Sequence, residues 1–215
     1  MRFALIATSC LTLASCASMS KSECLYADWR AIGYEDGAAG APASAVSSRR
    51  QACAKAGVTP DMSEYLAGRD AGLVEYCTPT NGFSAGENGA SYSGACGRHD
   101  EASFLEQYRA GARLYTLRER VRGADFALRQ ATGDLGAAKY AITQTSIALI
   151  RPELSVIDRA AYVVELTHLS EESERIERSL PGLRMGVETA EAELMAYESH
   201  LASRPSMGVS RVAAR

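Results

Sequence analysis

The chain has 215 residues, with 23 Lys and Arg against 26 Asp and Glu, so its formal net charge is −3. This length suits one modest domain plus an extension. The acidic balance and the lack of a basic cluster argue against nucleic acid as a partner. After Cys16, charged residues interrupt every apolar stretch, so no later segment is predicted to span a bilayer.

The amino terminus has the pattern of a bacterial lipoprotein signal peptide. Arg2 supplies a positive charge, and residues 3–13 form an apolar stretch that is too short to span a bilayer as a helix. The stretch ends in LASC at residues 13–16, which matches a lipobox: small residues admit the peptidase and the Cys16 thiol carries the lipid. The pattern predicts removal of residues 1–15. The alternative is an ordinary secretory signal that happens to contain a cysteine.

Lipidation of Cys16 would anchor the processed chain to a membrane through a short linker at residues 16–23. One acyl chain binds only marginally, but the two or three chains of a bacterial lipoprotein make a durable anchor. Ala17 follows the cysteine where an Asp would retain the protein at the inner membrane. We therefore expect the periplasmic face of the outer membrane.

The remaining cysteines are typical of an oxidising compartment. Cys10 leaves with the signal and Cys16 carries lipid, so four of the six cysteines are left. An even number predicts two disulfides, with three pairings to choose from. We favour the two local loops over the alternatives, and metal binding would require closer Cys or His spacing. The favoured pairs are Cys24–Cys53 and Cys77–Cys96.

Residues 24–99 are predicted to form a small domain and hold 11 of the 18 glycines. The predicted elements are three short helices and then an irregular segment: 27–38, 44–56 and 61–76, followed by 78–97. Aromatic residues precede glycines by three or four positions here, as Trp29 precedes Gly33. On a helix such pairs share a face, so we expect the glycines to mark close helix contacts. So few residues bury only a small core, which the disulfides would supplement.

Residues 100–203 contain no cysteine and carry a heptad pattern typical of coiled coils. The first apolar seam consists of Leu114, Leu117, Val121, Ala124, Leu128, Ala131, Leu135, Ala138, Ile142, Thr145 and Leu149. The second consists of Leu166, Leu169, Ser173, Ile176, Leu180, Leu183, Val187, Ala190, Leu194, Tyr197 and Leu201. They predict helices at 101–149 and 156–202, each roughly 70 Å long at 1.5 Å per residue.

A break near 150–155 allows these helices to fold back on each other, although the same seams could instead pair between molecules. Pro181 predicts a kink because the heptad phase continues past it. Residues 204–215 are predicted to be a disordered tail. The predicted fold class is mainly α, with a small disulfide-stapled glycine-rich helical domain followed by a long antiparallel coiled-coil helical hairpin.

Several motifs of the first part occur together and in order: DWR with GYEDGAAG, RRQACAKAG, YLAGRDAGLVEYC and FLEQYRAGARLY. With these motifs, residues 24–117 resemble an uncharacterised family of Gram-negative envelope lipoproteins that is defined only as a domain of unknown function. The resemblance implies an envelope location and brings no established activity.

The segment between Cys77 and Cys96 is the best candidate for ligand binding. It combines polar hydrogen-bonding groups with aromatic rings on a glycine-rich backbone, which suits a cell-wall glycan or peptide. The alternative is a closed loop whose polar groups satisfy its own turns, and we prefer that alternative. The candidate ligand-binding residues are Asn81, Phe83, Glu87 and Tyr92.

No catalytic residue, metal site or cofactor is predicted. The three histidines are scattered and no nucleophile elbow, zinc-protease motif or phosphate-binding loop is present. We therefore expect a structural or interaction protein that engages a protein partner, or a second copy, through the hairpin. The first alternative is a module that binds peptidoglycan or another envelope glycan. The second is a hydrolase, which the absence of a histidine site disfavours.

Overall fold

A computed structural model of the chain describes residues 19–203. The predictions for the signal peptide 1–15, for lipidated Cys16 and for the tail 204–215 lie outside this range. The described residues form seven α-helices, one 3-10 turn and no strand, so the mainly α fold class is confirmed. The helices are α1 Lys21–Tyr26, α2 Trp29–Ala38, α3 Val46–Lys55, α4 Met62–Tyr76, α5 Pro79–Glu87, α6 Glu101–Leu149 and α7 Val156–Ala202.

None of the helices within residues 19–203 combines the length and apolar character needed to cross a membrane.

The prediction of an irregular segment at 78–97 is wrong over α5. The Thr78 hydroxyl accepts a hydrogen bond from the Asn81 backbone N–H at 3.3 Å, as an N-cap does. Pro79 then stands at the first helical position, where its missing N–H costs nothing. The glycines of this helix lower its intrinsic propensity, but they are needed for packing, and the packing decides the outcome.

The described chain divides into two compact units. The first consists of residues 19–82 and 91–106, and the second of residues 83–90 and 107–203. Both α5 and α6 therefore begin in the first unit and continue into the second.

In the first unit, α2 and α4 touch backbone against backbone. At four glycines an added Cβ would overlap a carbonyl oxygen of the other helix, so the predicted close approach is confirmed. The contacts advance in the same direction along both helices, which therefore run parallel, with α3 in the crossover. The pairs are Gly33 with Tyr65, Gly37 with Arg69, Gly68 with Arg30, and Gly72 with Tyr34.

The same arrangement recurs between α5 and α6. A Cβ at Gly82 would overlap the Phe104 carbonyl in the first unit. In the second unit Gly86 meets the Tyr108 carbonyl, and Gly111 meets that of Phe83. These contacts again advance in parallel along the two helices.

The recurrence is also present in the amino-acid sequence. Residues 33–40 read GYEDGAAG and residues 82–89 read GFSAGENG, so both follow the pattern glycine, aromatic, two residues, glycine, two residues, glycine. Each ends at a glycine with positive φ, +65° at Gly40 and +70° at Gly89. A Cβ there would collide with the ring of Tyr76 or Tyr115 respectively.

The partner helices α4 and α6 match as well. Each starts after an aspartate N-cap, Asp61 or Asp100, whose carboxylate accepts backbone N–H bonds from the first turn. Four residues later each carries a fully buried aromatic side chain, Tyr65 or Phe104. The chain thus builds one kind of parallel glycine-packed helix pair twice.

Both favoured disulfide pairings are confirmed. Cys24–Cys53 and Cys77–Cys96 are bonded, with Cα–Cα distances of 5.5 Å and 5.6 Å. The first joins α1 to α3 and lies in a buried cluster with Trp29, Val46 and Tyr65. The closed loops span 29 and 19 residues, for which chain entropy predicts about 3–4 kcal/mol of stabilisation each.

The predicted antiparallel hairpin of α6 and α7 is confirmed within the second unit. The Tyr197 hydroxyl donates to the Ala110 carbonyl at 2.9 Å, near the base. Farther along, Lys139 lies 2.6 Å from Glu177. The numbers of the contacting residues rise along α6 while they fall along α7, so the two helices are antiparallel.

The predicted seams are the covered sides of both helices. On α6 every seam residue is buried or half-buried. From Leu166 to Leu201, the eleven seam residues of α7 are the only ones that are not exposed. Most are half-buried, because a two-helix seam is covered by a single partner.

Local interactions set the turn of the hairpin. Ser155 caps α7 by accepting the Asp158 backbone N–H at 3.1 Å. The Arg159 guanidinium donates to the carbonyl of Leu149, the last residue of α6, and to the carbonyl of Arg151 in the turn. Helix α7 continues without a break through Pro181.

Gly68→Ala is expected to lower the free energy of unfolding by about 1–3 kcal/mol, because the new methyl group must push α2 and α4 apart. Gly133→Ala on α6 is the matched control, since nothing lies within 4 Å of its Cβ position. It should raise helix stability by up to about 1 kcal/mol. Urea unfolding followed by circular dichroism, with disulfides intact, measures both. Equal effects at the two sites would contradict the packing argument.

Candidate functional site

Asn81, the first predicted ligand-binding residue, serves the start of α5. Its side-chain amide donates to the Glu75 carbonyl at 2.9 Å, and its backbone N–H bonds to Thr78. The side chain therefore ties the beginning of α5 to the end of α4, although the residue itself is exposed.

Tyr92 serves the second disulfide loop. Its hydroxyl donates to the Glu101 carboxylate at 2.7 Å and accepts the Cys96 backbone N–H at 2.9 Å. Its ring lies 5.0 Å from that of Phe104. Burial, reinforced by the bond to Glu101, raises the pKa of Tyr92 above its ordinary value. The residue thus secures the loop against the first turn of α6.

Phe83 and Glu87 lie in the second unit and contact the hairpin helices. Phe83 packs against the buried cluster of Leu114, Leu117 and Tyr197. The Glu87 carboxylate lies 3.6 Å from the Arg118 guanidinium. The four predicted residues thus have different partners, and each of them supports the packing of α5 or of the loop that follows it.

A buried polar cluster in the first unit escaped the sequence interpretation. The Asp36 carboxylate on α2 accepts a hydrogen bond from the Tyr65 hydroxyl of α4 at 2.9 Å and is paired with the Arg49 guanidinium of α3. Asp36 is only 9% exposed and Tyr65 is fully buried. The Asp36 carboxylate therefore links α2, α3 and α4. Its position between Gly33 and Gly37, on the side that meets α4, was the available signal.

The cluster shifts the titration of both partners. Burial, then the hydrogen bond to Asp36, raises the pKa of Tyr65 from 10.0 to about 12. The bond to the same carboxylate raises the pKa of Arg49 above its usual value. The phenol and the guanidinium are thus held as donors, and the cluster has the character of a structural ion pair.

The first unit also contains a cavity of about 370 Å³. Its charged lining comes from Arg69, Asp70 and Arg98, and loop residues 93–95 and 97 supply another part of the wall. Asp70 lies 3.3 Å from His99, and Arg69 donates to the Ala41 carbonyl at 2.8 Å. None of the four predicted ligand-binding residues lines this cavity.

In the second unit, a groove runs along one side of the α6–α7 hairpin. Two adjoining hollows of about 530 Å³ and 790 Å³ share Arg120 and Glu193, whose charged groups lie 2.9 Å apart. The Arg113 guanidinium lies 4.7 Å from the Tyr197 ring centroid at one end. The remaining lining residues are Thr116, Leu117, Ala124, Gly182, Met185, Gly186, Thr189, Ala190, Ala196 and His200.

The groove is suited to a helix or another extended apolar surface. Its floor consists of seam residues such as Leu117 and Ala190, and Gly182 and Gly186 of α7 place no side chain in it. Nothing lies within 4 Å of a Cβ placed on either glycine. A second backbone could therefore approach α7 closely along this side.

Within residues 19–203, no group of three or more His, Cys, Asp or Glu side chains is placed to hold a metal ion.

In the comparisons with known proteins, one family model matches part of the chain. The model of the family described as "Protein of unknown function (DUF2799)" matches residues 28–113. No curated protein and no solved structure matches the chain. The matched segment starts at the N-cap of α2 and ends early in α6, so it contains α2 to α5 and the first turns of α6 and excludes most of the hairpin.

Tyr65→Phe is expected to lower the free energy of unfolding by about 1–3 kcal/mol at neutral pH, because Asp36 loses a buried donor. In the native protein the pKa of Tyr65 is higher in the folded state than in the unfolded state. The stabilisation that results is complete below pH 10 and is lost as the pH rises towards about 12. That loss, on the order of 2 kcal/mol, should be absent in the variant. Urea unfolding between pH 7 and 11.5 measures both effects.

Tyr26→Phe is the control, since Tyr26 is 87% exposed. It should leave the free energy of unfolding and its alkaline dependence unchanged. An equal alkaline loss in the Tyr65→Phe variant and in the native protein would show that Tyr65 does not carry it.

Proposed function

Because residues 28–113 match the model of a family of unknown function, we propose a function from the chain's own residues. The protein is a non-enzymatic structural protein of the bacterial cell envelope. A lipid on Cys16 anchors it to the periplasmic face of the outer membrane. The α6–α7 hairpin binds another protein chain through its groove.

The location is supported by two features of the chain. The sequence LASC at residues 13–16 follows an apolar signal segment. The four cysteines that would remain after processing and lipidation form two disulfides, and disulfides persist in oxidising compartments such as the periplasm.

The groove is the observation that carries the interaction role. A two-helix hairpin covers each seam from one side only, so its half-buried apolar residues remain available to a further helix. Protein interfaces bury an apolar core inside a polar rim. The groove has that composition, with Leu117 and Ala190 in its floor and the Arg120–Glu193 pair at its edge.

Lipidation is tested by growing bacteria that express the full chain with an alkyne-tagged fatty acid. We expect the label to enter the native chain and to be lost in Cys16→Ser, because only the Cys16 thiol can carry the diacylglycerol. Cys10→Ser is the control, since Cys10 lies within the segment that is removed, and it should be labelled normally. A native chain that is processed but unlabelled would establish an ordinary secretory signal.

The interaction role is tested by photo-crosslinking in living cells. A photoreactive amino acid at Thr189, which lines the groove, should yield a discrete adduct with a protein. The same amino acid at the neighbouring position 188, which does not line the groove, should yield no such adduct. Adducts that form equally from both positions, or from neither, would contradict binding through the groove.

A further inference from the structure

The two sides of the hairpin differ in charge along its middle. The side away from the groove carries ion pairs within and between the helices, namely Arg122–Glu119, Arg129–Asp125 and Lys139–Glu177. On the groove side of α6, the residues between Arg120 and Asp134 at helical spacing are Gly123, Ala127 and Gln130. The facing positions of α7 are Ser179, Gly182, Gly186 and Thr189. The middle of the groove side is therefore uncharged.

The seam beneath this stretch is incompletely covered. Val121 and Leu128 of α6 are only half-buried, as are Leu183 and Val187 of α7. The groove side also contains glycines, which cost about 1 kcal/mol each in a helix relative to Ala. In the first unit that cost is offset by backbone contact, as at Gly68, whereas nothing lies near Gly182. The hairpin thus has the form of one half of a larger helical bundle.

The charged residues that bound this stretch are arranged so that the surface complements itself. On α6, Ala127 lies midway between Arg120 and Asp134. On α7, Gly186 lies midway between Glu172 and His200, with Glu193 between Gly186 and His200 and with Arg175 3.8 Å from Glu172. The midpoint on α6 therefore has a guanidinium on one side and a carboxylate on the other, whereas the midpoint on α7 has a carboxylate on both sides and His200 beyond one of them.

The two midpoints also lie at the same height on the hairpin. Arg120 and Glu193 are in contact at 2.9 Å. Ala127 is seven residues beyond Arg120, and Gly186 is seven residues before Glu193. Since the helices are antiparallel, both positions lie two turns from the same contact. A single two-fold axis can therefore pass beside both.

We propose that the occupant of the groove is a second copy of this chain, packed with its groove side against the first in the opposite direction. The result is a symmetric four-helix bundle in which α6 lies along α6 and α7 along α7. Arg120 then meets Asp134 of the second copy, and Glu172 meets its His200, each contact occurring twice. Charge complementarity of this kind fixes register and orientation, and the central small residues allow the close approach.

This inference names the partner for the proposed function and shares its premise that the groove is the binding surface. It does not depend on the lipid anchor. A two-fold interface brings each residue on its axis next to the same residue of the partner, so a single cysteine on the axis can report it.

The test uses the full chain carrying Ala127→Cys, expressed in bacteria and analysed by non-reducing electrophoresis and mass spectrometry of the linked peptide. We expect a dimer joined through residue 127 of both copies. Thr132→Cys is the matched control, a small exposed side chain on the other side of α6, and it should remain monomeric. Monomer from both variants, or equal crosslinking from both, would overturn the proposal.

A second variant tests the charge register without any new thiol. Asp134→Arg places two arginines against each other twice per dimer and should raise the dimer dissociation constant about tenfold or more, measured by sedimentation in detergent. Asp125→Arg makes the same charge change on the side away from the groove and should leave the constant unchanged. An unchanged constant in both variants would overturn this register.

The outcomes separate the two proposals. An adduct from Thr189 with the mass of a different protein, together with monomeric Ala127→Cys, supports the groove as a binding surface and overturns self-pairing. No adduct from Thr189 together with a monomeric chain overturns both.

Discussion

Along α2 and α4 the two main chains lie against each other with no side chain between them. Four glycines make this contact, and a Cβ at any of them would occupy the place of a carbonyl oxygen. Because the helices meet so closely, Asp36 on α2 comes within hydrogen-bond reach of the buried Tyr65 on α4. The unit is small, so its stability depends on this close packing together with the Cys24–Cys53 bond.

The helix pair α5–α6 is packed in the same way. Gly82 and Gly86 bring α5 against the first turns of α6, and Asp100 starts α6 as Asp61 starts α4. The central residues differ, since Tyr65 has a hydroxyl that engages a carboxylate whereas Phe104 packs against the rings of Tyr76 and Tyr92. The family match at 28–113 contains most of both copies. The doubled helix pair is therefore the recognisable part of the chain.

Glycine has a different role on the hairpin. Gly182 and Gly186 have no neighbour within 4 Å of a Cβ position, and the seam beside them is half-buried. Such glycines lower the stability of the helix, and no packing contact inside this chain compensates for them. Within the first unit the chain supplies both sides of its glycine contacts, whereas the groove of the hairpin presents one side only. The half-buried seam beside these glycines supports the proposal that the hairpin binds a partner.

The sequence by itself determined the helical class, the hairpin helices at 101–149 and 156–202, their seams and the favoured disulfide pairs, because heptad spacing and cysteine separation are local properties of the chain. It also indicated that the glycines mark close contacts. Which helices those glycines join, the helix at 79–87 and the pairing of Asp36 with Arg49 and Tyr65 were decided only by the tertiary structure. These features depend on residues far apart in the chain, and local propensity at Gly82 and Gly86 opposes the helix that packing enforces. Asn81 and Tyr92 show the same limit: their types suit a ligand, and only the fold reveals that they bond to Glu75 and Glu101.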